Sequence, residues 1–235
     1  MEDLDDRIET LVSWMAEAER LIVFTGAGIS TDSGLPDFRG PDGVWTRQEK
    51  GLPPKQAGLD WTKTSPNVAH YAVVDLQEMG KLDFVISQNI DDLHLSSGIR
   101  PELLAELHGN LARVRCIACE ETYPKSDELE RCACGGALKS SVVGFGDSLP
   151  VKDLTDSFAH AERCDLMIVI GSSLVVTPAS ALPATAFDAG ARLVIINQGD
   201  TPLDSVAQLR FTEGIGEVFP AAVRKLQDRL RDGAG

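Results

Sequence analysis

Positive charge is scarce in this chain. Its 22 lysines and arginines stand against 36 aspartates and glutamates, a formal net charge of -14 over 235 residues. Such a surface has little with which to neutralise phosphates, which argues against a nucleic-acid binder; it suits basic partners such as lysine-rich protein segments. Long apolar runs are lacking too. No stretch reaches the roughly 18 residues of a membrane span, and the opening MEDLDDRIETLVSWM has neither the positive start nor the apolar block of a secretory leader. The expectation is therefore a cytoplasmic, monomeric protein without nucleic-acid or membrane partners. Cysteine is sparse, with five in all, and where thiols stay reduced these read as metal ligands or small core residues, not disulfides.

The length suffices for one large domain, or a large domain with a small insert. Ile8, Leu11, Val12 and Met15 recur at helical spacing before RLIVFTGAG, an apolar run stopped by glycine. Residues 31–63, rich in Gly, Pro, Asp and Lys, read as a long surface loop, either a lid over a site or a plain connection. Ser65-Pro66 then predicts a helix start, with Val68, Ala72, Leu76 and Met79 on one face. DFVIS (83–87), CDLMIVIG (164–171) and RLVIIN (192–197) are further buried-strand runs, with Gly190 placed to end a helix between the last two. Leu154 and Phe158 mark one more helix; Phe219, Val223, Leu226 and Leu230 mark the last.

Buried strands alternating with helices predict an α/β fold, a Rossmann-like parallel sheet with helices on both faces. The strand ends read TGAG, SQNID, GSS and NQ, so four polar or glycine-rich tips converge where such sheets bind ligands. One segment breaks the alternation. Cys116, Cys119, Cys132 and Cys134 form Cys-x2-Cys, twelve residues, then Cys-x-Cys and two glycines, close to the paired knuckles that hold tetrahedral zinc. Four thiolates close the shell, so this metal is structural. Cys164 stands apart and reads as a core residue.

TGAGIST is an incomplete dinucleotide fingerprint: Gly26 and Gly28 can bring amides close to a pyrophosphate, but Thr31 stands where a third glycine belongs and no acidic ribose partner is evident. Asp37, Phe38 and Arg39 follow on a Gly/Pro frame and add weight, since Arg can hold phosphate and Phe can cover a ring. His108, in ELHGN, is the leading candidate for a general base; the alternative is a hydrogen-bonded loop histidine. His70, His94 and His160 rank below it, His70 and His160 as surface or packing residues on helices.

GAGISTDSGLPDFRG, QNIDDLH, ELHG, the four cysteines, FGDSLP, GSSLVVTPAS and IN, in that order from about residue 20 to 220, resemble the sirtuin family of NAD-dependent protein lysine deacylases. GPDGVWT and EKGLPPK look more like the branch that includes human sirtuin 6 than like other branches. The resemblance implies a Rossmann-like NAD-binding domain (1–40, 80–112 and 141–235), a cofactor loop with a helical part of the small domain (41–79) and a zinc-binding insert (113–140), with NAD and acyl-lysine meeting between them. Gly26, Ala27, Gly28, Asp37, Phe38 and Arg39 are implied along the cofactor loop, and Gln88, Asn89, Ile90 and Asp91 around nicotinamide and its ribose. It further implies Gly171, Ser172 and Ser173 at phosphate and ribose, Asn197 and Gln198 at the adenosine ribose, and Gly214 and Ile215 near adenine. Val143, Phe145 and Gly146 match a strand that pairs with the substrate backbone, a mode of recognition that accepts many sequences.

As the family works, the acyl oxygen attacks the nicotinamide ribose, nicotinamide leaves, and His108 takes a proton from a ribose hydroxyl; Asn89 is a second implied catalytic residue. The implied products are nicotinamide, O-acyl-ADP-ribose and free lysine. Three departures stand out. Asp92 replaces the usual Gly, Asp147 the commoner Glu, and the 46–70 region lacks the Tyr and Arg pair of the succinyl-lysine-removing branch. ADP-ribosyl transfer or NAD hydrolysis would use the same pocket, and a non-catalytic NAD-sensing or zinc-ribbon protein is the remaining alternative.

Overall fold

The computed structural model describes residues 3–55, 59–126, 128–144 and 146–233. In chain order the elements are α1 (Leu4–Glu17), β1 (Leu21–Thr25), a 3-10 turn (Ala27–Ser33), α2 (Val44–Glu49), α3 (Val68–Glu78), β2 (Leu82–Ser87), α4 (Leu93–Ser97) and β3 (Leu104–Glu106). Three short strands follow, β4 (Arg113–Cys116), β5 (Thr122–Pro124) and β6 (Leu138–Ser140). The chain ends with α5 (Val151–Ala161), β7 (Leu166–Ile170), α6 (Ala181–Asp188), β8 (Arg192–Ile196), β9 (Leu209–Phe211) and α7 (Ile215–Asp232). Among the described residues no helix is long and apolar enough to cross a membrane.

The large sheet has the order β3-β2-β1-β7-β8-β9, and every pairing in it is parallel. Its central strands β1 and β7 are buried at every position because both faces are covered. Leu21 and Val23 of β1, with Leu166, Ile168 and Ile170 of β7, face a core shared with α1, α3 and α7. Ile22 and Phe24, with Met167 and Val169, face the core under α5 and α6, where Cys164 also lies. β4 to β6 form a separate antiparallel sheet of order β5-β4-β6 around the cysteine knuckles.

Several sequence expectations need correction. β3 and β9 were not foreseen; each is three residues long, too short to show a period. The 31–63 loop is partly helical, holding the end of the 3-10 turn, α2 and a 3-10 turn at Trp61–Lys63. Helix α3 starts at Val68, not after Ser65. The Asn67 side chain accepts from the amides of Ala69 and His70 while His70 Nδ1 accepts from Asn67 N, a reciprocal capping box that two residues earlier could not be made. Its buried face is therefore Ala69, Ala72, Val73 and Leu76, and Val68 is exposed.

The strand order reverses direction between β1 and β7, which opens a crevice at their carboxyl ends. The two ends meet backbone to backbone: Gly26 N donates to Ile170 O at 3.0 Å and Gly28 N to Gly171 O at 2.9 Å. A Cβ at Gly28 would lie 2.6 Å from Gly171 Cα, and Gly171 itself has φ 65°. Gly171→Ala should therefore lower the unfolding free energy by at least about 2 kcal/mol in urea titration, combining a left-handed residue with a backbone clash. Gly34→Ala, at φ 87° with nothing within 4 Å of the added methyl, should lose distinctly less. Equal losses would show that close approach does not set this junction.

Candidate functional site

A cavity of about 1000 Å³ opens at the carboxyl ends of β1, β2, β7 and β8. Along one wall run Gly26, Ala27 and Gly28, then Asp37, Phe38 and Arg39. Phe38 lies 4.9 Å from the Trp45 ring, and the Arg39 guanidinium stands 4.6 Å over the same indole, so the loop after β1 folds into a packed wall. Asp37 Oδ1 accepts from Gly40 N at 3.2 Å, and burial pushes its carboxyl above the usual range. Gly171, Ser172 and Ser173 face this wall, with Asn197, Gln198, Gly214 and Ile215 beyond them.

The tip of β2 supplies the densest polar cluster. Gln88 Nε2 donates to Ser172 Oγ at 2.7 Å, crossing the crevice. Asn89, nearly buried, donates through Nδ2 to Ser30 Oγ at 3.2 Å, and Ser30 Oγ donates to Asp91 Oδ2 at 2.6 Å. Asp91 Oδ1 accepts from Leu93 N at 3.0 Å and so starts α4. Ile90 completes the rim.

Asp92 points away from the cavity. Its φ is 66°, the left-handed region that favours glycine, and its carboxylate accepts from Asn110 Nδ2 at 2.7 Å and Ser96 Oγ at 3.0 Å. It therefore adds no side chain to the cleft. Asp147 does line the cavity, but its carboxylate turns back on its own loop, accepting from Gly144 N at 3.0 Å.

His108 lines the cavity, and its Nδ1 lies 2.8 Å from Gln88 O. A carbonyl can only accept, so Nδ1 carries the proton and Nε2 keeps its lone pair. Burial lowers the His108 pKa, opposed by that hydrogen bond, so the ring is neutral at pH 7. His108 O accepts from Val143 N at 2.9 Å, and Val143 and Gly146 line the same cavity; Phe145 lies outside the described residues. Two contributors escaped sequence reasoning. Ser30 sat in GAGIST without an assigned role, and Arg210 carried no local signal. Arg210 donates to Asn197 O, Gly199 O and Asp204 Oδ1, and so shapes the loop that presents Asn197.

The cysteine cluster lies away from these groups. The four Sγ atoms lie within 4.8 Å of one another, with Cys116–Cys134 and Cys119–Cys132 each at 3.5 Å. Tetrahedral zinc with bonds of about 2.3 Å separates its thiolates by about 3.8 Å, so the set fits the ion. A Cβ at Gly136 would come 2.5 Å from Cys116 Sγ, which explains the glycine turn.

The Sir2 family model matches residues 53–178. An NAD-dependent protein deacetylase of Oryza sativa subsp. indica is 42% identical, covering 88% of this chain and 45% of its own length. NAD-dependent protein deacylase 2 of Archaeoglobus fulgidus is 38% identical over 97% of this chain and 99% of its own. The chain belongs to the Sir2 family, the sirtuins. A solved Sir2 complex with p53 peptide and NAD+ superposes with a TM-score of 0.71 at 33% identity, over 97% of this sirtuin and 98% of that chain. This sirtuin spans about half the length of the plant relatives it matches, 45% and 50%.

Two histidines beneath the site are buried and neutral. His94 Nε2 pairs with Thr25 Oγ1 at 2.9 Å, and the His70 ring lies 5.1 Å from that of His94. Burial holds His94 at about 4; burial, with the neighbouring His94, holds His70 at about 3. Their folded pKa values lie below the unfolded value near 6.5, so the stability they carry is full above pH 6.5 and is lost as pH falls below it. Glu106 and Asp153, raised by burial to about 7 and about 6, act in the opposite sense. His70→Gln keeps a capping-box residue at the third helical position and removes one of the titrating histidines. Between pH 7.5 and 4.5 the variant should lose about 2 kcal/mol less stability than wild type by urea titration. Parallel pH profiles would show that His70 does not titrate on unfolding.

Proposed function

We propose that this sirtuin is an NAD-dependent protein lysine deacylase, removing acetyl and longer acyl groups from lysine side chains of protein substrates to give free lysine, nicotinamide and O-acyl-ADP-ribose. The observation that carries the reading is the neutral His108 ring, held on the cavity wall with Nδ1 on Gln88 O, within the same polar cluster that joins Asn89, Ser30 and Asp91. Bound NAD supplies a ribose carbon made electrophilic by its nicotinamide leaving group. The glycine cradle at Gly26, Gly28 and Gly171 leaves backbone room for its phosphates. Asn197 and Gln198 stand at the adenosine side, with Ile215 near adenine; Asn89 and Asp91 orient the nicotinamide end.

His108 Nε2 accepts a proton from a ribose hydroxyl, and the Gln88 carbonyl stabilises the cation that forms. Val143 and Gly146 offer backbone to the peptide, so that recognition reads main chain more than sequence. The formal charge of -14 supports a preference for lysine-rich segments. We also assign the three-part division of the chain, a cytoplasmic setting in which the knuckle thiols stay reduced, and kinship with the branch of human sirtuin 6; the last rests on GPDGVWT and EKGLPPK.

Mass spectrometry of the protein with NAD and acetyl-, myristoyl- or succinyl-lysine peptides tests the reading. Deacylated peptide and O-acyl-ADP-ribose should form in equal amounts, with little from the succinyl peptide. His108→Ala should lose about 10²- to 10⁴-fold in rate. Nicotinamide release without deacylation, or ADP-ribose left on protein, would overturn the assignment.

A further inference from the structure

Helix α5 begins behind Pro150, which provides no side-chain cap. The cap comes instead from the metal knuckle. Glu120 Oε2 accepts from Val151 N at 3.1 Å and from Lys152 N at 3.3 Å, placing a carboxylate on the helix N-terminus. Glu120 directly follows Cys119 and has φ 62°, a conformation that favours glycine. That backbone is set by the knuckle itself: Glu120 N donates to Cys116 O at 3.1 Å, and Cys116 N to Glu121 O at 2.9 Å. A glutamate kept in a glycine conformation, with its carboxylate on two otherwise uncapped amides, is a side chain in use.

What lies between the knuckle and α5 is the peptide-binding edge of the proposed function, and the inference rests on that reading. Its near end is pinned: Val143 N donates to His108 O, Ser141 Oγ donates to Asn110 O at 2.7 Å, and Arg115 donates to Ser141 O. Beyond it, among the described residues, Gly144 and Asp147 bond to each other, through Asp147 N to Gly144 O at 3.1 Å and Gly144 N to the Asp147 carboxylate. The far end is held where Val151 and Lys152 donate to Glu120. We propose that Glu120 is a positioning residue that ties the metal-loaded knuckle to the far end of the peptide-binding edge, so that metal occupancy sets peptide affinity and leaves the chemical step unchanged.

Glu120→Gly suits the left-handed backbone, so the knuckle should fold and retain its metal; Glu120→Gln keeps an acceptor oxygen without the charge. In hydrogen exchange of the metal-loaded proteins, the Val151 and Lys152 amides should exchange about fivefold faster in Glu120→Gly, with Glu120→Gln in between. Chelating the metal from wild type should give the same increase at those amides and add nothing further in Glu120→Gly. KM for an acetyl-lysine peptide should rise about fivefold in Glu120→Gly, with kcat and KM for NAD unchanged. Unchanged exchange in Glu120→Gly, or a fall in kcat with peptide KM unmoved, would overturn the proposal. If wild type proves not to be a deacylase, the exchange comparison alone decides whether Glu120 transmits metal occupancy to α5.

Discussion

The structure depends on a close approach of two strand ends. β1 and β7 finish side by side at the point where the sheet reverses its winding, and Gly26, Gly28 and Gly171 let their backbones touch. Any side chain there would push the strands apart or fill the crevice between them. Because the ends meet as bare backbone, the loop after β1 leaves in one direction and the Gly171–Ser173 turn in the other, and the cavity is the space between. Gln88 reaches across from β2 to Ser172, so the third strand is fastened to the same junction.

A crevice lined by amides and carboxylates is costly unless each buried group finds a partner. The tip of β2 meets that demand by chaining its groups, Asn89 to Ser30 and Ser30 to Asp91, with Asp91 also starting α4. This is why an apolar strand ends in Gln, Asn, Asp, Asp and His within eight residues. Some of those groups face the cavity, while Asp92 and His94 belong to the scaffold beneath it, joined to Asn110 and Thr25. Cavity lining and local folding thus draw on one short stretch.

The parts legible in the sequence were those whose burial or spacing is extreme. β1, β2, β7 and β8 showed as apolar runs because both faces are covered, and the cysteine spacing announced its own geometry. β3 and β9 were hidden by shortness, and their strand identity comes from neighbours in the sheet. The start of α3 was misread because Ser65-Pro66 satisfies the local rule for a helix start, whereas Asn67 and His70 satisfy it twice over. Ser30 and Arg210 could not have been ranked from local pattern, since Ser30 works through residues about sixty positions away and Arg210 through a loop closed by tertiary contact. Asp92 needed the backbone angle to show which way its charge turns.

His108 occupies the place where these constraints meet. Its ring is oriented by the carbonyl of Gln88, at the tip of the large sheet, while its own carbonyl accepts from Val143 N, just after β6. One residue is therefore held by the large sheet through its side chain and by the segment after β6 through its backbone. None of the four knuckle cysteines lines its cavity. Burial lowers its pKa, so at neutral pH the ring stands ready to accept a proton, and the Nδ1 hydrogen bond keeps Nε2 as the acceptor.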